Sequence, residues 1–270
     1  MSEAGPLGLI AGNGRFPLLV ARGAHRAGRR VVAAAIREEA DALVEKEADE
    51  THWIGLGQLG LLIETFQRAG VREAVMAGQV KHRQIFSDVV PDWKLLGVLA
   101  RLALKNTDSL IGGIADALSR EGITLLSSVA FLGDQMATVG AMTRRKPSSQ
   151  EAGDIEYGLT VARAIAGLDL GQTAVVKDRA AVALEAMEGT DEVIARAGRI
   201  AGAGTVVVKV AKPRQDMRFD VPVVGEGTLR AMEAASSRTL ALEAGKTLLI
   251  DRAEFLQAAD RLGIAVWGAA

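Results

Sequence analysis

The chain has no cysteine among its 270 residues. Disulfides, thiolate metal sites and cysteine nucleophiles are therefore excluded, and the composition suits a reducing cytoplasm. Histidine is nearly as scarce. The three present, His25, His52 and His82, have no second histidine at ligand spacing, and none stands in an Asp-x-His pair. A zinc site or a histidine-built binuclear centre is not expected, so any metal must be held by oxygen, which favours Mg²⁺ or Mn²⁺. Net charge is missing too: 32 Lys+Arg stand against 33 Asp+Glu, leaving −1. Without a basic field, nucleic acid is not an expected partner. Nor is there a long apolar run. The window LLGVLARLAL is broken by Arg101 and followed by Lys105, too short and too charged to span a bilayer. Met1 to Pro6 has neither the basic nor the apolar region of a leader, so a signal peptide is not expected.

What is present reads as two halves. At 49% hydrophobic and 24% charged, the chain is globular and long enough for two domains of about 130 residues. In the first half LGLIAG, RVVAAAI, THWIGLG and EAVMAGQV are apolar runs, separated by helices at Phe16 to Ala27 and Gly60 to Ala69. Unalternating strands between helices belong to a parallel sheet covered on both faces. The fold class is α/β, with a Rossmann-like parallel-sheet N-terminal domain. A long helix is expected from about Asp92 to Arg120, then a strand at ITLLSS. TRRKPSSQEAGD, Thr143 to Asp154, reads as an exposed connection from its Pro, Ser and charges. The expected division is thus residues 1–142, a linker at 143–154, and a mixed α/β domain at 155–270. There, a helix from Ile155 to Ala166 leads into QTAVVKD, AAVALEAME, TVVVKVA, TLALEA, TLLID and IAVWG, with helices after EGTD and GEGT. A last helix starts at Asp251, where Asp251-x-x-Glu254 has the form of a capping box and Gly263 supplies the stop.

The first motif is GLIAGNGRFP, in which a strand runs into Gly12-Asn13-Gly14. A dinucleotide fingerprint needs a third glycine where helix meets strand, and Pro17 stands there instead. A nicotinamide site is disfavoured, whereas a strand-loop-helix site for phosphate or ribose survives. The plainer alternative is a tight turn. Glu38, after the second strand, is placed to meet a ribose hydroxyl. AGKT, Ala244 to Thr247, ends like a P-loop, but Leu240 occupies its first glycine position, and it reads as a hairpin turn.

Acidic and basic residues gather in two later stretches. EAMEGTDE sets Glu185, Glu188, Asp191 and Glu192 across a strand-to-helix turn, with Asp191 placed as an N-cap. KPRQDMRFDVPVVGEGT presents Lys212, Arg214, Asp216, Arg218 and Asp220 before Pro222 and a helix start at Gly227-Thr228. If the segment is extended, Asp216, Arg218 and Asp220 point to one side. Interleaved guanidinium and carboxylate groups suit a phosphate with its Mg²⁺. The alternative is a salt-bridged surface loop, which Pro213 and Pro222 would stiffen without need. In the Asp92 helix, Lys94, Arg101 and Lys105 fall on one line beside Leu95, Leu96, Val98, Leu99 and Leu102. Such a helix either packs on a core or lies on a membrane with a basic edge.

Together GLIAGNGRFP, AGQVK (Ala77 to Lys81), VVKD, EAMEGTDE, KVAKPRQDMRFDVPVVGEGT and LIDRAEFLQAADRLGIAVWG resemble the LpxI-type UDP-2,3-diacylglucosamine pyrophosphatases of lipid A biosynthesis. The likeness runs nearly end to end, with Lys209 to Thr228 its most specific part. QVKHRQI and KNTDSLI depart from the family's usual forms. The resemblance implies a Rossmann-like domain and a distinct C-terminal domain, with the substrate between them. It implies hydrolysis of UDP-2,3-diacylglucosamine to UMP and 2,3-diacylglucosamine 1-phosphate, supported by Mg²⁺ or Mn²⁺; a non-catalytic nucleotide-sugar sensor is the alternative. Gly12, Asn13, Gly14, Gln79, Lys81, Glu188, Thr190, Lys212, Arg218 and Thr228 are the implied substrate-binding residues. Asp220, Asp216 and Asp191 are the implied catalytic carboxylates in that order of importance, Asp220 being the second Asp of the D-x-R-x-D-x-P pattern, and Asp220 and Asp216 are also implied metal ligands. The implied partners are the UDP-lipid and its lipid monosaccharide product. A cytoplasmic protein that touches the inner membrane peripherally follows, and a homodimer is compatible with it.

Overall fold

The computed structural model describes residues 5–80, 90–102, 107–213 and 215–270. The chain forms two units. The first holds the chain up to Leu132 together with Met217–Phe219, and the second holds Gly133–Asp216 and Asp220–Ala270.

In the first unit β1 (Leu7–Ala11) and β2 (Val31–Ile36) are buried along their whole length, so apolar side chains are needed on both faces. With β3 (Glu50–Ile54), β4 (Glu73–Ala77) and β5 (Thr124–Leu125) they make a parallel sheet in the order β3-β2-β1-β4-β5. Leu9 is in register with Ala33 on one side and Val75 on the other. Helix α1 (Phe16–Arg26) carries Pro17 in its first turn, where a missing N–H costs nothing, and buries Leu18, Val20 and Ala21. After the single turn α2 (Val44–Glu47), helix α3 (Leu59–Arg68) sends Leu62, Ile63 and Phe66 into a core shared with Val32, Ala34, Leu118 and Ile123.

The leucine-rich segment after Asp92 is not the single helix its sequence suggests. It contains two helices, α4 (Trp93–Leu99) and α5 (Thr107–Arg120). A Cβ on Gly113 would lie 2.7 Å from Val98, so the two press side by side. In one continuous helix these positions would be about 22 Å apart. Asp92 caps α4 by accepting from Leu95 N at 2.9 Å, and it also accepts from Gly60 N in α3 at 2.6 Å. The expected basic line is not a free edge either: Lys94 pairs with Glu121 and lies over the Trp93 ring, and Lys105 is outside the described residues. Arg101 stays exposed, and so do apolar groups beside it: Val90 at 86%, Trp93 at 75% and Leu96 at 52% exposure.

The second unit is built on a mixed sheet. Its strands are β6 (Gly140–Ala141), β7 (Thr173–Lys177), β8 (Ala180–Leu184), β9 (Val206–Lys209), β11 (Thr239–Glu243) and β13 (Ala265–Ala269), in the order β6-β13-β11-β9-β7-β8. β9, β11 and β13 run parallel, while β6, β7 and β8 are antiparallel to their neighbours. A separate parallel pair joins β10 (Val223–Val224) to β12 (Leu248–Leu249). Helices α6 (Ser149–Gly167), α7 (Thr190–Ala201), α8 (Glu226–Ala234) and α9 (Arg252–Leu262) complete it. Val193, Ile194, Leu229, Met232 and Phe255 pack with Val207, Leu240 and Leu242 of the sheet.

Three local expectations fail, each for a physical reason. AGKT is a turn but not a hairpin, because β12 pairs with β10 and the chain has left the larger sheet. Asp251 does not form the capping box: it sits at φ 49, in the left-handed region, and makes no side-chain cap bond. The helix expected from Ile155 begins at Ser149. There the Ser148 hydroxyl accepts from Glu151 N at 3.2 Å, and Glu151 accepts from Ser148 N at 2.8 Å, a reciprocal cap.

Burial alone would push the Glu151 carboxyl up, but hydrogen bonds from Ser148 N–H, Arg145 and Thr239 outweigh it and hold it below the usual glutamate range. Its stabilising contribution is then complete above the unfolded-state pKa and is lost as pH falls through the lower folded-state value. Glu151→Gln should cost about 1.5 kcal/mol at pH 7. The gap in urea midpoint between the two proteins should close as pH is lowered below the ordinary glutamate range. A gap that stays constant to pH 3 would mean the carboxylate charge contributes nothing.

Candidate functional site

Two constellations carry chemistry, one in each unit. In the first, the strand order β3-β2-β1-β4-β5 puts the switch point of the sheet between β1 and β4, where ligands of such sheets bind beyond the strand ends. Gly12, Asn13 and Gly14 leave β1 there and meet Gln79 leaving β4. Asn13 N donates to Gln79 O at 2.8 Å and Gln79 N returns to Asn13 O at 3.3 Å. The crossing is close enough to demand two glycines. A Cβ on Gly12 would stand 2.7 Å from Gln79 O, and one on Gly78, at φ 90, would stand 2.6 Å from Asn13 O. Four of the sequence-predicted residues are therefore together, and Lys81 is outside the described residues.

Two acids follow β2, and they face different ways. Glu38 is exposed and accepts from Leu56 N at 3.2 Å. Its neighbour Glu39 is 7% exposed and accepts from Asn13 Nδ2 at 3.3 Å. Beyond β5, Ser128 N donates to Met217 O at 2.7 Å, and its hydroxyl lies 2.6 Å from Met76 O and 2.8 Å from Arg218 O. The backbone of Met217 and Arg218 is thereby tied into the first unit.

The second constellation centres on Lys209, a residue the sequence reading passed over. It ends the valine run of β9, is 5% exposed, and donates to Thr190 Oγ1 at 2.8 Å and Val223 O at 2.9 Å. Thr190 in turn donates to the buried Glu185 at 2.9 Å, whose other oxygen accepts from Gln172 N at 3.1 Å. Burial pushes the Lys209 ammonium below the ordinary lysine range, and the charges of Glu185, Asp191 and Asp220 pull against that shift. The signal was there to read: a lysine closing a strand whose other residues are all valine.

The remaining predicted residues divide. Asp191 does not cap α7, whose cap position is Gly189; it lies in the first turn, and its Oδ2 would stand 2.8 Å from a Cβ on Gly227. α8 starts one residue earlier than expected, at Glu226, with Thr228 buried in its first turn. Asp216, Arg218 and Asp220 are not extended. Asp220 N donates to Asp216 O at 2.9 Å across a turn at 217–219, so a period of two does not align them. Lys212 Nζ is 2.6 Å from Asp169 Oδ1. Glu188 is turned to the surface, where its own backbone N–H, Arg196 and Ala186 N hold its carboxyl below the usual range. Arg214 is outside the described residues.

Among the described residues no three His, Asp or Glu side chains converge in a ready-made metal cage. Mg²⁺ seldom uses one, being held by one or two carboxylates plus substrate phosphate and water. The donor chemistry of Asp220 and Asp216 fits that manner of binding. His25 and His52 pair with Asp49 and Glu50 instead, and His82 is outside the described residues.

A switch-point loop in one α/β unit and a lysine-centred set of carboxylates in another describe a nucleotide-handling α/β protein. The chain matches the LpxI N-terminal domain over residues 6–135 and the LpxI C-terminal domain over residues 138–267, and it belongs to the LpxI family. It is 33% identical to UDP-2,3-diacylglucosamine pyrophosphatase LpxI of Caulobacter vibrioides, over 97% of this chain and 96% of that one. Among solved structures, the biotin carboxylase domain of a thermophilic 2-oxoglutarate carboxylase is 16% identical, covering 63% of this chain and 34% of its own, with a TM-score of 0.27. Rhizobium etli pyruvate carboxylase is 14% identical over 63% of this chain and 15% of its own, with a TM-score of 0.28. Likeness that slight carries no argument.

Proposed function

We propose that this chain hydrolyses the pyrophosphate of UDP-2,3-diacylglucosamine to UMP and 2,3-diacylglucosamine 1-phosphate, in lipid A biosynthesis. The observation that carries the reading is the buried ammonium of Lys209 at the end of β9, bonded to Thr190 Oγ1 in the first turn of α7, with the buried Glu185 bonded to the same hydroxyl. In the reaction, water's oxygen joins one phosphorus, the bond from that phosphorus to the bridging oxygen breaks, and a proton must be taken up. Asp220 is the acceptor for that proton. The first turns of α7 and α8 meet at Asp191 and Gly227, and backbone N–H groups at such ends favour phosphate oxygens. Asp220 and Asp216 would hold Mg²⁺ or Mn²⁺, which supplies charge neutralisation to the pyrophosphate. Gly12, Asn13, Gly14 and Gln79 take the nucleotide, and Lys212 and Arg218 are the cations assigned to phosphate.

The substrate is a lipid, so the protein works in the cytoplasm as a peripheral visitor to the inner membrane. Among the described residues no helix is long and apolar enough to cross a membrane. The surface assigned to lipid contact is Val90, Trp93 and Leu96, since an indole is well suited to the interface. Purified protein given the UDP-lipid in vesicles should release UMP, and chelation of divalent metal should stop it. The Trp93→Ala, Leu96→Ala double variant should work normally in detergent and several-fold more slowly on vesicles. UMP binding without release would leave a nucleotide-sugar sensor.

A further inference from the structure

We infer that Glu39 is a positioning residue that turns Asn13 so that its amide oxygen reads a ribose hydroxyl of the UDP group. The inference rests on the UDP-lipid reading. Glu39 sits just past β2, 7% exposed, with Oε2 3.3 Å from Asn13 Nδ2. An ionised carboxylate can only accept, so Asn13 must present its NH₂ to it. The amide is planar, and its Oδ1 is consequently turned the other way. The backbone of Asn13 cannot adjust, because both of its hydrogen-bonding groups are held by Gln79. Gly12 and Gly78, too close for any Cβ, fix the height of that crossing. The half-buried Asn13 side chain thus offers an oriented acceptor at the strand ends, beside the switch point of the sheet.

An acceptor fixed there selects a ligand that donates. In doubly wound sheets the acid at the end of the second strand meets the ribose directly. Here that acid is committed to an asparagine, which passes on the acceptor role. The exposed Glu38 serves the backbone of Leu56 instead.

The full-length protein should be titrated with UMP, 2′-deoxy-UMP and CMP in metal-free buffer. Native protein should prefer UMP to 2′-deoxy-UMP by about fivefold to tenfold, one hydrogen bond's worth. In Glu39→Gln the new amide can donate as well as accept, so Asn13 is no longer forced one way and the ratio should fall to about one. KM for the UDP-lipid should rise in step, while kcat stays within about threefold and the melting temperature is little changed. Asn13→Asp sets two carboxylates against each other and should lose the preference too. Combining it with Glu39→Gln restores one donor facing one acceptor, with an oxygen again turned outward, and should recover the preference. An unchanged deoxy ratio in both single variants overturns the inference, as does a loss confined to UMP against CMP, which would assign Asn13 to the base. Native protein that neither binds UMP nor cleaves the lipid would overturn the UDP-lipid reading instead.

Discussion

Asp220→Asn should lower turnover by a factor on the order of 10² or more, the usual loss when a base or principal charge stabiliser is removed. Asparagine keeps the size of the side chain and the backbone bond from residue 220 N–H to Asp216 O, so the turn at 217–219 should persist. UMP affinity and melting temperature should therefore stay close to native while kcat falls. Asp216→Asn should be the milder change, and Asp191→Asn milder again. The check is steady-state UMP release from each variant at saturating substrate, with circular dichroism as the control for folding. Near-native kcat in Asp220→Asn beside an inactive, folded Asp216→Asn would transfer the role to Asp216.

Lys209→Met should cost both stability and activity. Methionine fills the space of the lysine stem but removes the ammonium that reaches the buried Glu185 through Thr190, and it strips Thr190 and Val223 O of a donor. Lys209 and Glu185 are joined through Thr190 Oγ1, and leaving a buried charge without compensation costs about 3 kcal/mol or more. Adding Glu185→Gln should recover part of that loss, because the orphaned charge goes with it. Urea midpoints of the two single variants and the double variant measure the coupling. Additive losses, or a stable Lys209→Met, would show that Lys209 and Glu185 do not act as a pair. Activity is expected to fall even where the protein remains folded, since Thr190, in the first turn of α7, loses the ammonium that holds it.

The α/β class was legible because it depends on patterns longer than any one contact. LGLIA and VVAAAI could only be strands covered on both faces, and both lie buried in the parallel sheet. Gly12-Asn13-Gly14 was legible as a loop, because glycine after a buried strand signals a turn or a close backbone approach, whereas Gln79 came only with the family resemblance. What misled was local charge read without depth. Lys209 lay inside the strand TVVVKVA, with only its charge among valines to mark it, and only the fold shows that its ammonium is buried against Thr190. Glu38 and Glu39 are adjacent, and nothing in sequence says which faces inward. Asp216, Arg218 and Asp220 were aligned on the assumption of an extended chain, but an i to i+4 bond bends it. The Asp92 to Arg120 stretch has helical periodicity throughout, and periodicity cannot report where a chain doubles back.

A gene cut after Leu132 would not release the first unit whole. The fragment would lack Met217–Phe219, and Ser128 would lose Met217 O as the acceptor for its N–H and Arg218 O as a partner for its hydroxyl. The other fragment would carry those three residues as surplus, between Asp216 and Asp220 of its own unit. Order along the gene and membership in the fold part company at this point. Recombination could not shuffle the two halves between proteins as interchangeable modules, and split-fragment complementation would succeed only when both pieces are present to refold together.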